Sequence, residues 1–544
     1  MRKPNKNKTS FFLKGFTQSA FLTTISRISG YIRDVCIAAF LGAGIFSDIF
    51  LISFKLPNLF RRITAEGALT SSFLPIYAKL KSQNSDDIAI NYFKKIVYRV
   101  TLILIFLMIF FQILMPFVVY FLAPGFANNN EVTNQIISLT RITMIFMPLI
   151  SAVALLGVAT NVSGRFWILS FTPIILNSCI ILSCFFISDY WTIKSLPLAI
   201  ATVIGGIIQL IFIIVMIIKY KILNLKNYNK KTISKNDVGI INFHIKQTWR
   251  RFLPAALGGG ILQINLLVDT ILASLLGFGS VSYLYFADRV TQLPLGIIGV
   301  ALGTTLLTSL SKANAQNDIK QFSKELIISL KIGLFFSIPA TFVFIFYNDL
   351  LIKVLFGRGE FTFNETKQTS LALLAYSVGI PAFIMIKSCQ PAFLATGNTK
   401  TPMYIGFILL ILNIILSFSL MSSLFHAGIA LATSIVSWIG TIIYITLLVI
   451  NGKITKPKFS LKEENYNLFS VIFYGLKIIF ISCLMILSMK LAQNLVVINN
   501  LNEVFLLISL CLFGFFIYIL TSLIFKYIPQ ELYDFISLRF KKAK

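Results

Sequence analysis

Hydrophobic and polar positions along this chain fall into blocks, with neither the two-residue period of a strand nor the single stripe of one amphipathic helix. Apolar runs close to 20 residues long, separated by short polar or Gly/Pro-containing breaks, have the length a helix needs to cross about 30 Å of hydrocarbon. They lie at roughly 18–41, 45–60, 98–123, 133–160, 168–188, 192–218, 252–277, 281–309, 325–347, 367–394, 403–421, 425–450, 466–493 and 502–526. About fourteen spanning helices are predicted, which makes the fold class an all-α polytopic membrane protein.

The basic residues divide the connections into two sets. The amino terminus carries Arg2, Lys3, Lys6, Lys8 and Lys14, and every second connection after it is also basic: Lys79 to Arg99, Arg165, the run from Lys219 to Arg251, Lys312 and Lys320, Lys400, Lys453 to Lys462, and Arg539 to Lys544. The alternate connections, "LGAG", "APGFANNNEV", "LGFGSV", "MSSLFHAG" and "NLVVINNLNEV", are poor in positive charge, with Lys194 and the mixed stretch "IKVLFGRGEFTFNETK" as exceptions. Cytoplasmic loops hold the excess of Lys and Arg, so both ends are expected in the cytoplasm. The first apolar stretch is expected to stay as a helix, because arginines interrupt it and "LGAGIFSD" runs directly into the next span.

Composition agrees with this reading. Of the 544 residues, 57% are hydrophobic and 12% charged, more apolar surface than a soluble chain can bury. The net charge of +28 sits where it meets anionic lipid headgroups, so no nucleic-acid partner is expected. The six cysteines lie in apolar segments without a CxxC pair, and the chain has two histidines, which supports neither a disulfide framework nor a zinc site.

An internal repeat sets the expected architecture. Aligning "DVCIAAFLGAGIFS" from Asp34 with "DTILASLLGFGSVS" from Asp269 matches Ala38 to Ala273, Leu41 to Leu276, Gly42 to Gly277, Gly44 to Gly279 and Ser47 to Ser282. Copies six spans apart share one orientation and form a parallel repeat about an axis along the membrane normal. Two six-helix lobes are expected at 1–218 and 252–451, joined by a basic cytoplasmic linker at 219–251. Residues 452–544, two further helices and a basic tail, lie outside the duplication.

Charges inside the spans are the candidate chemistry. A charge near mid-bilayer costs at least about 2.5–3.5 kcal/mol and faces a cavity or a partner. Arg27 sits about nine residues into its span, roughly 14 Å deep, and shares a helix face with Gly30 and Asp34. Arg33 lies about 100° round from Asp34, where an intrahelical or interlobe salt bridge is an alternative role. Lys55, Arg61 and Arg62 flank Pro57, Asp288 and Arg289 occupy the eighth span, and Lys387 the tenth. Arginine binds diphosphate bidentately and keeps its proton, so arginines from both lobes point to a phosphate-bearing anion. For Arg61 and Arg62, near a cytoplasmic end, the competing reading is topology anchors.

Asp269 is an acid deep in the seventh span. With Asn413, Ser417 and Thr433 it forms a candidate Na+ site, since a hard cation prefers oxygen ligands. The alternative is an acid hydrogen-bonded near the external end of its helix.

The stretches "SRISGYIRDVCIAAFLGAG", "SDIFLISFKLPNLFRRITAEGALTSSFLPIY", "APGF", "YFADRVTQLPLGIIGVALGTTLLTSLSK" and "AYSVGIPAFIMIKSCQPAFLATGNTKTP" resemble the MurJ (MviN) lipid II flippase family of the multidrug/oligosaccharidyl-lipid/polysaccharide exporter superfamily. The resemblance covers essentially the whole chain and is most specific in the first eighty residues. It implies fourteen helices, two lobes around a cationic cavity, and a groove at the last two helices for a lipid tail. It implies a transporter rather than an enzyme, in the bacterial cytoplasmic membrane, moving lipid II (undecaprenyl-diphosphate-linked disaccharide pentapeptide) from the cytoplasmic to the periplasmic leaflet. Expected partners are lipid II, membrane lipids and the cell-wall synthesis machinery; no cofactor is expected beyond Na+ as a coupling ion. By motif, the family's cavity arginines correspond to Arg27, Arg33, Arg61 and Arg289, with Ser26 and Asp48 also at positions of interest, while Asp34 and Lys387 join the candidate set from their place in the spans. Where some members carry Glu, this chain has Gln292, which puts in doubt any role needing a negative charge there.

Rival classes remain open. An exporter of another polyprenyl-diphosphate sugar lipid or of a drug would share the fold. A membrane-embedded enzyme would need exposed catalytic carboxylates or histidines, and the short external loops are poor in both. A scaffold gives no return for the cost of charges inside spans.

Overall fold

The structure is a computed structural model that describes residues 6–63, 69–83, 86–187, 190–223, 234–454, 467–496 and 502–529. Parts of the basic linker and the basic C-terminal tail lie outside the described residues. Among the described residues there is no β-strand. Among the described residues nine helices are long and apolar enough to cross a membrane, and a bent pair makes a tenth.

The chain divides into two compact units. The first is Met1–Ser282 with Arg358–Phe361, and the second is Tyr283–Gly357 with Thr362–Lys544. This division falls later than the lobe boundary read from the repeat, which began the second lobe at residue 252. The physical reason is packing: the helix carrying the seventh span lies against early helices of the first unit.

The first unit contains α1 (Lys6–Leu41), α2 (Ile45–Ile63), α3 (Leu69–Gln83), α4 (Asp86–Ile113), α5 (Met115–Leu122), α6 (Asn130–Met144), α7 (Phe146–Val162), α8 (Phe166–Cys184), α9 (Leu196–Lys219) and α10 (Lys235–Ser274). α1 packs along α8, α8 along α9, α2 against α6, and α10 against α3. α1 and α2, predicted as separate spans, are parted by Gly42, whose φ of 67° lies in the left-handed region. Its repeat partner Gly277, just after α10, has φ 99°. A side chain at either place would strain the turn, so the matched glycines mark a shared backbone event. The strap Arg358–Phe361 joins this unit through Glu360 N–H donating to Ala39 O at 2.8 Å.

The helix α11 (Ser280–Pro294) begins in the first unit and continues into the second, followed by α12 (Val300–Ala315), α13 (Ile319–Phe346), α14 (Asn348–Phe356), α15 (Phe363–Ser377), α16 (Ile380–Ala395), α17 (Lys400–Ile450), α18 (Leu468–Val496) and α19 (Glu503–Ile524). Between α11 and α12 stands a single π turn at Leu295–Gly299. Pro294 lacks an N–H and cannot continue the ordinary ladder, which accounts for the break at this point in the eighth span. α15 and α16, predicted as one span at 367–394, meet at a bend of 44°. Within α17, Phe425 at φ 51° divides two arms, as the separate spans 403–421 and 425–450 require.

α1, α2 and α10 each carry several charges and are not among the nine apolar helices, although the first, second and seventh predicted spans lie on them.

Candidate functional site

In the first unit the candidate residues of α1 face α8. Arg33 donates from Nε and Nη2 to one oxygen of Asp34, at 3.0 and 2.7 Å, and from Nη1 to Asn177 Oδ1 at 3.1 Å. Adjacent helix positions normally diverge, but the long guanidinium stem curls back to its neighbour. Asp34 is buried and Arg33 partly so, which makes this an intrahelical ion pair rather than an open anion receptor. Asn177 on α8 completes the junction, its Nδ2 donating to Ser29 Oγ at 2.9 Å and to Ser26 O at 3.3 Å. A Cβ on Gly30 would stand 3.5 Å from Asn177 Nδ2, so the glycine serves close approach of α8. Arg27, a turn and a half from Arg33 on α1, is exposed instead.

The sequence reading passed over Asn177. Its signal was an isolated amide in the apolar run "IILNSCIIL", where an unpartnered amide would be costly.

Asp48, at the start of α2, is fully buried. Oδ2 accepts from Gly279 N–H at 2.6 Å, and Oδ1 accepts from Ser282 N–H at 2.8 Å and Ser282 Oγ at 2.5 Å. The carboxylate satisfies orphan amides at the N-terminus of α11 and meets the positive end of its dipole. Its lone pairs serve structure here.

Arg61 is partly buried at the C-terminal end of α2, with Nε donating to Asn58 Oδ1 at 2.9 Å, while Arg62 Nη1 donates to Gln263 Oε1 at 3.4 Å on α10.

In the second unit Arg289 lies over Tyr285 one turn earlier on α11, its guanidinium carbon 4.7 Å from the ring centroid and Nη2 donating to the hydroxyl at 3.1 Å. Cation–π attraction and the hydrogen bond hold the fork in one place at low entropy cost. Gln292 Nε2 donates to Asp288 Oδ2. The position that is Glu in some members is therefore neutral here but hydrogen-bonded to a carboxylate one turn away. Lys387 on α16 is exposed, and its stem lies beside the π turn, where a Cβ on Gly299 would stand 3.5 Å from its Cγ.

The residues of the candidate cation site fall in both units. Asp269 is buried on α10 in the first unit. In the second, the two arms of α17 bring Thr433 Oγ1 to 3.3 Å from Asn413 Oδ1, and Ser417 Oγ is buried without a hydrogen-bond partner among the described residues. Among the described residues no group of three or more His, Cys, Asp or Glu side chains could hold a metal ion. The oxygen donors on α17 suit a hard cation in kind.

Long apolar helices interrupted by π, proline and left-handed breaks, with charges seated on the spans, define a multi-pass membrane protein of transporter type. The comparisons agree. The model of the family described as "Lipid II flippase MurJ" matches residues 37–499. A relative from Rickettsia prowazekii (strain Madrid E), named as a probable lipid II flippase MurJ, is 36% identical over 425 residues, covering 77% of this chain and 80% of that protein. A solved structure titled as lipid II flippase MurJ in an inward closed conformation superposes with a TM-score of 0.75 at 28% identity, over 93% of this chain and 98% of that one. A multidrug resistance MATE transporter of the MOP superfamily, inward-facing, shares the fold at TM-score 0.66 and 12% identity, over 80% of this chain and 98% of that one. This chain belongs to the MurJ lipid II flippase family.

Proposed function

We propose that the chain moves lipid II from the cytoplasmic to the periplasmic leaflet by alternating access of two lobes around basic residues in its spans. The strongest support is the family match over residues 37–499, joined to arginines that lie within the predicted spans on α1, α2 and α11. The transport problem is to carry a diphosphate and sugars past hydrocarbon while the tail stays in lipid. Arg27 and Arg289 supply the cationic contacts to the diphosphate, Arg289 with its fork held by Tyr285. Arg33 and Asp34 neutralise each other and hold α1 on α8 through Asn177. Exchange between two packings of the lobes then exposes the headgroup to each leaflet in turn, with no covalent chemistry. Depleting the chain in cells and locating lipid II by leaflet tests this. Accumulation in the cytoplasmic leaflet is the expected result, and an unchanged distribution overturns the reading.

The orientation that this direction requires places both termini and the 219–251 connection in the cytoplasm. Cysteines introduced at Lys226 and Asn129 in a background lacking the native ones are expected to react with impermeant reagents from opposite sides. Reaction from one side would reverse the assignment of the loops.

Sodium is proposed as the coupling ion, with Asp269, Asn413 and Thr433 as its candidate oxygen ligands. A rise in melting temperature across a sodium titration, absent with potassium and lost in Asp269→Asn, is the expected outcome. A flat titration of the unaltered protein removes sodium from the cycle.

A further inference from the structure

Two lysines that play no part in the transport reading meet on the second unit among aromatic rings. Lys331, on α13, has its ammonium 6.0 Å from the centroid of Tyr474 on α18. Lys477, one turn along α18, lies between Phe473 at 5.0 Å and Tyr527 at 4.8 Å. Tyr474 Oη donates to Tyr527 O at 2.8 Å, tying α18 to the segment that follows the last residue of α19. A single chain of contacts therefore joins both ammonium groups.

The position in the helices sets the depth. α19 ends at Ile524, so Tyr527 marks one rim of its apolar span. Tyr474 meets that rim, and Lys477 lies three residues further along α18, roughly 5 Å toward the centre at 1.5 Å per residue. On the same stretch of α18, Ile472, Phe473, Leu476 and Phe480 are each 47 to 59% exposed, an apolar surface suited to lipid chains. Aromatic rings with polar tips settle at headgroup level, and a lysine stem reaches toward the same level from below.

We propose that this rim binds the phosphate headgroup of an anionic bilayer phospholipid. The rings fix the ammonium groups and lower the entropy lost on binding, the two positive charges supply the attraction, and the apolar face of α18 receives the acyl chains. The arginines of the transport reading take no part, so this headgroup site is separate from the contacts proposed for the diphosphate of lipid II.

The test uses the purified full chain, free of lipid II, with dioleoylphosphatidylglycerol and dioleoylphosphatidylcholine as probes and bound lipid counted by native mass spectrometry. Phosphatidylglycerol is expected to be retained in preference to phosphatidylcholine. Its apparent affinity should fall about fivefold in Lys331→Gln or Lys477→Gln and about thirtyfold in the double variant. Lys477→Arg, which keeps the charge, should keep binding. Lys490→Gln, which alters the lysine over Phe346 elsewhere on α18, should leave binding unchanged. Equal retention of the two lipids by the unaltered chain, or the same loss in Lys490→Gln as in Lys477→Gln, overturns the proposal. The first of these measurements needs no variant to fold.

Discussion

Alanine at Arg289, and separately at Arg27, is expected to abolish rescue of a flippase-depleted strain while the protein still inserts. Arg289 is held by Tyr285 through its ring and hydroxyl, which orients its guanidinium in advance for the proposed diphosphate contact. Charge-assisted hydrogen bonds contribute about 1.5–3 kcal/mol each, and losing a bidentate pair removes about 3 kcal/mol or more, upwards of a hundredfold in affinity. Lysine at either position should rescue in part, because the charge returns without the planar fork. The measurement is colony formation on depletion, read beside membrane abundance of each variant. Full rescue by both alanine variants would reduce these arginines to anchors.

Asp48→Ala should cost about 3–5 kcal/mol of stability, seen as a large fall in melting temperature of the purified chain. The carboxylate is fully buried and accepts from Gly279 N–H, Ser282 N–H and Ser282 Oγ, and alanine leaves those donors dry and unpaired. Asn in its place keeps an acceptor for Ser282 but turns a donor toward Gly279 N–H, so Asp48→Asn should fall between the two. An alanine variant that melts with the unaltered protein would show that water or a backbone shift replaces the carboxylate.

The family resemblance drew attention to Asp48 as a position of interest, yet nothing in "GIFSDIF" says that its partners lie more than two hundred residues away. The same holds for Arg33. A helical wheel places it beside Asp34 and leaves its role undecided between substrate and salt bridge, and the choice falls to Asn177 on α8, which takes the remaining guanidinium nitrogen. Arg27 shares a face with Asp34 on a helical wheel, but in the fold one is exposed and the other buried.

By itself the sequence determined that this is an all-helical chain rich in segments of spanning length, and which residues repeat; where each helix begins and ends it placed only coarsely. Those properties follow from hydrocarbon thickness, from apolar runs long enough for helices to satisfy every backbone hydrogen bond within themselves, and from glycines that turn left-handed at Gly42 and Gly277. The tertiary structure alone decided that α10 packs with the first unit, that Asp48 caps the start of α11, that Arg33 is neutralised, and that Lys331 and Lys477 meet through Tyr474 and Tyr527. Each of these depends on a partner distant in sequence, and the cost of burying a charge says that a partner must exist without saying which residue it is.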